Sequence, residues 1–152
     1  MSEPSRVEYE AFSRSLPEVV AALRTLSRVS TDGLEQGLVE LVKVRASQIN
    51  GCAYCLQLHV NWARRAGVPQ GKLDRVAVWH ESPDFTASER AALAWTEALT
   101  DPARRRELEA ARQALASQFT SEQQLRLTVA VATINAWNRV AGPLGFAPPQ
   151  SE

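Results

Sequence analysis

The sequence predicts an all-α chain folded as a single-domain bundle of six to seven helices. Three observations point there. Apolar residues recur at three- and four-residue intervals along most of the chain, and helix start and stop signals separate the periodic stretches. No segment alternates apolar and polar residues between turns as a strand would. The length, 152 residues, matches one domain at roughly 150 residues per domain.

The elements follow in order. Residues 1–14 read as a flexible N-terminal segment, polar and acidic at its start (MSEPSRVEYE), with no apolar stretch behind it that would make a signal peptide. Pro17 is placed as a first-turn proline, with Ser15 or Leu16 at the cap, opening a helix over Glu18 to Ser27. Ser30-Thr31-Asp32-Gly33 is a break. A second helix runs from about Leu34 to Ile49, with Leu34, Leu38 and Leu41 toward a core and Val39, Val42 and Val44 widening the stripe. Asn50-Gly51 interrupts it, and a third helix begins at Cys52 and ends near Ala66-Gly67.

Pro69 starts a short helix through Val78, and Trp79 to Asp84 reads as loop. Thr86 with Glu89 forms a capping box ahead of a helix to about Leu99. Asp101-Pro102 signals the next start, over Ala103 to Ser117. A second box, Thr120 with Gln123, leads Ser121 to Arg139, and Gly142-Pro143 is expected to stop that helix. Residues 143–152 read as a flexible tail, leaving 15–142 as the domain. Leu127 to Trp137 is apolar nearly all round, which suits a helix central to the bundle or buried between subunits.

Composition excludes several function classes. Hydrophobic residues make up 45% of the chain, enough for a core without staples, and 17 basic residues balance 17 acidic ones. That balance removes the electrostatic case for binding nucleic acid or an anionic membrane. No run approaches the roughly 18 apolar residues of a spanning helix. Leu127 to Val140 comes nearest and is broken by Thr128, Thr133, Asn135, Asn138 and Arg139. The chain therefore reads as cytoplasmic.

The two cysteines, Cys52 and Cys55, carry the chemistry. Two intervening residues let the sulfurs meet across a first helical turn, which suits reversible disulfide formation. Cys52 lies nearest the helix N-terminus, where unpaired amides and the helix dipole stabilise a thiolate. His59, four residues past Cys55, shares its helix face and is placed to exchange a proton with it. The dipole favours Cys52 as the acidic thiol; the histidine spacing favours Cys55.

Glu40 sits on a largely apolar helix, either at the surface or held in a site. A hairpin at Asn50-Gly51 would bring it beside His59, where a carboxylate orients the ring and raises its basicity. The competing readings are two structural thiols, or a zinc site built from Cys52, Cys55 and His59 with Glu40 or His80 as a fourth ligand. His80, beside Trp79, is either a surface histidine or an auxiliary of the cleft. Trp62, Trp79, Trp95 and Trp137 read as core or interface anchors. Asn135 and Asn138 need partners if buried, and would stitch helices or subunits together.

Glu40, eleven residues, Cys52-x-x-Cys55, three residues and His59 resemble the thiol-active branch of the alkylhydroperoxidase D (AhpD)-like, or carboxymuconolactone decarboxylase, superfamily. The flanking text ELVKVRASQINGCAYCLQLHVNWARRAG is similar to the family's core. The downstream blocks WHESPDFTASERAALAWTEALT and LTVAVATINAWNR are similar to one branch, so the resemblance spans about residues 15–142.

It implies an AhpD-like helical fold that oligomerises through helical faces, as trimers or hexamers. It also implies a thiol peroxidase in which Cys55 attacks the hydroperoxide, Cys52 resolves, and His59 and Glu40 relay the proton. No bound cofactor or metal is implied. An external dithiol, a lipoyl-bearing or thioredoxin-like protein, would reduce the disulfide. Tyr54 stands where best-known members carry a histidine, and a phenol with a pKa near 10 is a poorer base than imidazole. Disulfide reductase chemistry lies close by. The decarboxylases of the superfamily act on a lactone ring without this cysteine pair.

Overall fold

The computed structural model describes residues 6–152, which form eight α-helices and two 3-10 segments, with no strand among the described residues. The helices are α1 (Tyr9–Ser15), α2 (Pro17–Ser30), α3 (Gln36–Asn50), α4 (Ala53–Arg65), α5 (Gln70–Leu73), α6 (Ala87–Thr100), α7 (Leu108–Gln118) and α8 (Ser121–Leu144). The 3-10 segments are Val76–Glu81 and Pro102–Glu107. No helix among the described residues is long and apolar enough to cross a membrane.

Helix α3 is the spine, packing against α4, α6 and α8. Its residues from Gly37 to Val44 are buried all round, as the widened stripe of valines anticipates. Leu38 and Val42 join Trp95, Leu115, Leu127 and Val131 in one cluster. Leu41 and Val44 join Val76, Trp79, Phe85 and Leu93 in a second. A third holds both cysteines with Ala46, Ile134, Ala141 and Phe146. Helix α8 is thus central along Leu127, Val131 and Ile134, while its Leu125 and Val129 stay exposed.

Both capping boxes form. Thr86 and Glu89 exchange bonds of 2.9 and 3.2 Å, and Thr120 and Gln123 bonds of 3.0 and 3.2 Å. The α3–α4 hairpin turns on Gly51, whose φ of +67° is a left-handed conformation that L side chains resist. The Cys52 amide then bonds back to the Ser47 carbonyl at 3.1 Å, and this closure delivers Cys52 to the N-cap of α4.

Several expectations are corrected. Tyr9–Ser15, in the segment read as a flexible leader, is helical because Tyr9 and Phe12 pack on Phe146; residues 1–5 of that segment lie outside the described residues. Gly142-Pro143 does not stop α8. The missing proline N–H falls in the last turn, and the helix ends at Gly145, with the Phe146 amide returning to the Ala141 carbonyl. The tail beyond is tethered, not frayed: Phe146 is buried, Asn61 donates to the Gln150 carbonyl at 2.8 Å, and Arg65 pairs with Glu152.

Trp79–Glu81, read as loop, belongs to a 3-10 segment held because the Trp79 indole donates to buried Glu97 at 3.0 Å. The expected helix over 103–117 is divided. Asp101 caps the Ala103 amide and Arg104 is drawn onto Glu97, so the first turns tighten into 3-10 geometry before α7.

Candidate active site

Cys52 holds the N-cap of α4, with its Sγ accepting the Cys55 amide at 3.3 Å. Both cysteines are free and buried, yet only Cys55 lines a cavity of about 400 Å³ enclosed by α1, α2, α3, α4 and α8. Glu40, Tyr54, His59, Trp62 and Trp137 share that wall. One thiol is open to a small molecule, and the other stands behind it.

Glu40 turns inward. Its Oε2 lies 2.7 Å from His59 Nδ1, and its Oε1 accepts from the Gln36 amide at 2.8 Å. Carboxylate and imidazole are both buried, at 1% and 6% exposure, so the hairpin expectation holds. A carboxylate at that distance takes the Nδ1 proton as its hydrogen bond, which leaves the lone pair on Nε2. Burial pushes His59 below its ordinary 6.5, against the pull of Glu40, so the ring is a neutral base. Trp62 meets it edge-on, centroids 5.1 Å apart.

The thiols divide one proton. A hydrogen bond from the Cys55 thiol, with the Cys55 amide, brings Cys52 down to about 7 despite its burial. The same bond, with burial, pushes Cys55 well up. Asn138 lowers both. Acidity therefore lies with Cys52 and access with Cys55, the same division the spacing left open.

Tyr54 lines the cavity, but burial pushes its phenol up to about 12, so it is a hydrogen-bond donor and not a base. It stacks on Tyr9 at 6.0 Å and meets Phe146 edge-on at 5.3 Å. His80 lies outside the cavity, stacked on Trp79 with its Nε2 3.1 Å from Glu97. Of its two readings the surface one holds and the cleft auxiliary is corrected: it sits on the surface side of the Glu97 cluster, where Arg45 and Arg104 also converge. Among the described residues no group of three or more His, Cys, Asp or Glu side chains is arranged to hold a metal ion.

Sequence reasoning missed two residues of this site and read the third, Asn138, only as a stitch between helices, which its bonds to Asn50 and Ser47 bear out. Lys43 carries a charge into the cavity wall, Gln36 fixes Glu40, and Asn138 bonds Ser47 at 3.1 Å while facing the thiols. Gln36 and Lys43 fall three or four residues from Glu40 on α3, and that spacing was the available signal.

The sequence profile of the carboxymuconolactone decarboxylase family matches residues 17–98. The chain belongs to that family. A crystal structure of an Agrobacterium tumefaciens protein of unknown function, provisionally described as the antioxidant defence protein AhpD, superposes with a TM-score of 0.88. It is 35% identical and covers 97% of this chain and 100% of that one. The uncharacterised protein YdfG of Bacillus subtilis is 31% identical over 106 residues, 70% of this chain and 72% of its own. An AhpD-core, peroxidase-related protein from Ralstonia eutropha shares the fold at a TM-score of 0.80 and 24% identity, over 92% of this chain and 75% of that one. The AhpD-like superfamily fold is thereby established for this family member.

Proposed function

We propose that this family member is a thiol peroxidase that reduces organic hydroperoxides through a Cys52–Cys55 disulfide cycle. The observation that carries the reading is the division of the thiols: Cys55 opens to the cavity beside a Glu40-oriented His59, and Cys52 stands one turn behind it. Cys55, as thiolate, attacks the distal oxygen of the peroxide. The O–O bond breaks, the proton that His59 Nε2 has taken from the Cys55 thiol passes to the departing alkoxide, and Cys55 becomes a sulfenic acid. Cys52 then attacks that sulfur, water leaves, and the disulfide closes. An external dithiol, such as a lipoyl-bearing or thioredoxin-like protein, gives up two electrons and two protons to restore both thiols.

Stopped-flow mixing of the reduced protein with cumene hydroperoxide tests this. Disulfide formation should be fast, and Cys52→Ser should trap a dimedone-reactive sulfenic acid at Cys55. A rate no better than that of a free thiol overturns it. The acidity of Cys52 favours a second reading, disulfide exchange beginning at the first cysteine, which reduction of a protein disulfide by the dithiol form would reveal. We further propose a homo-oligomer, a trimer or hexamer, joined where α2 exposes Val19, Leu26 and Val29 and α8 exposes Leu125 and Val129. Light scattering of the eluting protein reads its mass.

A further inference from the structure

Lys43 is an anomaly of the cavity. It is only 9% exposed, it lines the wall, and it has no hydrogen bond or ion pair among the described residues. Glu40, the one acidic side chain in that wall, has its two oxygens engaged by Gln36 and His59. Burial pushes Lys43 below its ordinary value, and Glu40 offsets that only in part. The side chain is largely desolvated while its Nζ keeps accessible surface, and an incoming anion that pairs with the ammonium relieves the cost of that burial.

The remaining charges of the cavity have the same sign. Arg24 and Arg28, exposed and four residues apart on α2, also line it. Arg24 lies over the Tyr9 ring at 5.8 Å, and neither arginine has a salt bridge among the described residues. Three cations therefore face one engaged carboxylate, two of them exposed and one buried. Between them the wall is apolar, with Leu58, Trp62, Ile134 and Trp137. A single ammonium set in apolar walls suits one carboxylate on an apolar body.

We propose that the cavity selects organic hydroperoxides that bear a carboxylate, with Lys43 holding the anion and Arg24 and Arg28 drawing it in from solvent. The chemistry of such a substrate rests on the thiol peroxidase reading; the binding of its carboxylate does not. Lys43 is a specificity-determining residue in this account, and the redox steps are those already given.

The test uses a matched pair, cumene hydroperoxide carrying a para-carboxylate and the methyl ester of that acid. Wild type should prefer the acid by about tenfold in kcat/KM, the worth of one charge-assisted contact. Lys43→Met should bring the acid-to-ester ratio to about one, and Lys43→Arg should restore the preference. Rising salt should slow capture of the acid more than of the ester. Equal use of acid and ester by wild type, or an unchanged ratio in Lys43→Met, overturns the proposal.

Binding alone separates this from the peroxidase reading. With Cys55→Ser, 4-isopropylbenzoate and its methyl ester are titrated while the intrinsic tryptophan fluorescence, to which Trp62 and Trp137 of the cavity wall contribute, is followed. Tighter binding of the acid, lost with Lys43→Met, supports the anion site even where no peroxide is consumed. Equal binding of acid and ester overturns it even in an active peroxidase.

Discussion

Cys52 Sγ accepts the backbone N–H of Cys55 at 3.3 Å, so the thiol outside the wall of the Glu40–His59 cavity is the one the helix end helps to stabilise. Charge and access are thereby separated by one helical turn. Under the proposed cycle the Cys55 proton must pass to His59 Nε2 before Cys55 attacks. Once a sulfenic acid stands at Cys55, the negative charge resides on Cys52, where resolution needs it.

The pair should titrate as a unit, with its first ionisation at about 7. Thiolate absorbance followed against pH reads this directly. Cys55→Ala removes the donor that chiefly lowers Cys52, so the midpoint should move upward toward an ordinary thiol. A midpoint that stays in place would mean that the amides of the α4 N-terminus alone set the acidity.

Glu40→Gln should cost about 10- to 100-fold in the rate of peroxide-driven disulfide formation, because the amide no longer dictates which ring nitrogen of His59 carries the proton. His59→Ala should cost more, about 100-fold or above. The double variant should be little worse than His59→Ala, since Glu40 acts through the ring. Multiplying losses would show an independent role for Glu40.

Much of this was legible in the sequence. Asn50-Gly51 announces the hairpin, the spacing from Cys55 to His59 places them on one face, and the hairpin draws Glu40 to the ring. Local signals suffice where caps are local, and both capping boxes form as written. What stayed hidden depends on distant partners. Helix α1 owes its place to Phe146, more than a hundred residues away in sequence, and His80 is drawn to Glu97 by a cluster from three elements. Lys43 reads as an ordinary helix lysine until the cavity beside it is known.

Asn138 ties this hidden layer to the site. Its Oδ1 accepts from Asn50 at 2.9 Å and its amide donates to Ser47 at 3.1 Å, holding α8 against the turn that positions Cys52. Asn138→Leu leaves buried polar groups unpaired and should destabilise the protein by about 1–3 kcal/mol, read from urea unfolding. It should also raise the thiol midpoint, since Asn138 lowers both sulfurs. Lost stability with an unmoved midpoint would confine Asn138 to packing.

His59 makes stability depend on pH in a stated direction. Its folded value lies below the ordinary 6.5, chiefly because burial disfavours the imidazolium. As pH falls below 6.5 the unfolded chain binds a proton that the folded chain refuses, so stability is lost toward the lowered folded value and regained above 6.5. The slope from this group approaches at most about 1.4 kcal/mol per pH unit. Unfolding free energies measured between about pH 5.5 and 8 should therefore fall on the acid side in wild type and flatten in His59→Gln. A wild-type profile rising toward acid would mean that the ion pair with Glu40 outweighs burial, and the ring would then be an imidazolium at rest, a proton donor in place of a base.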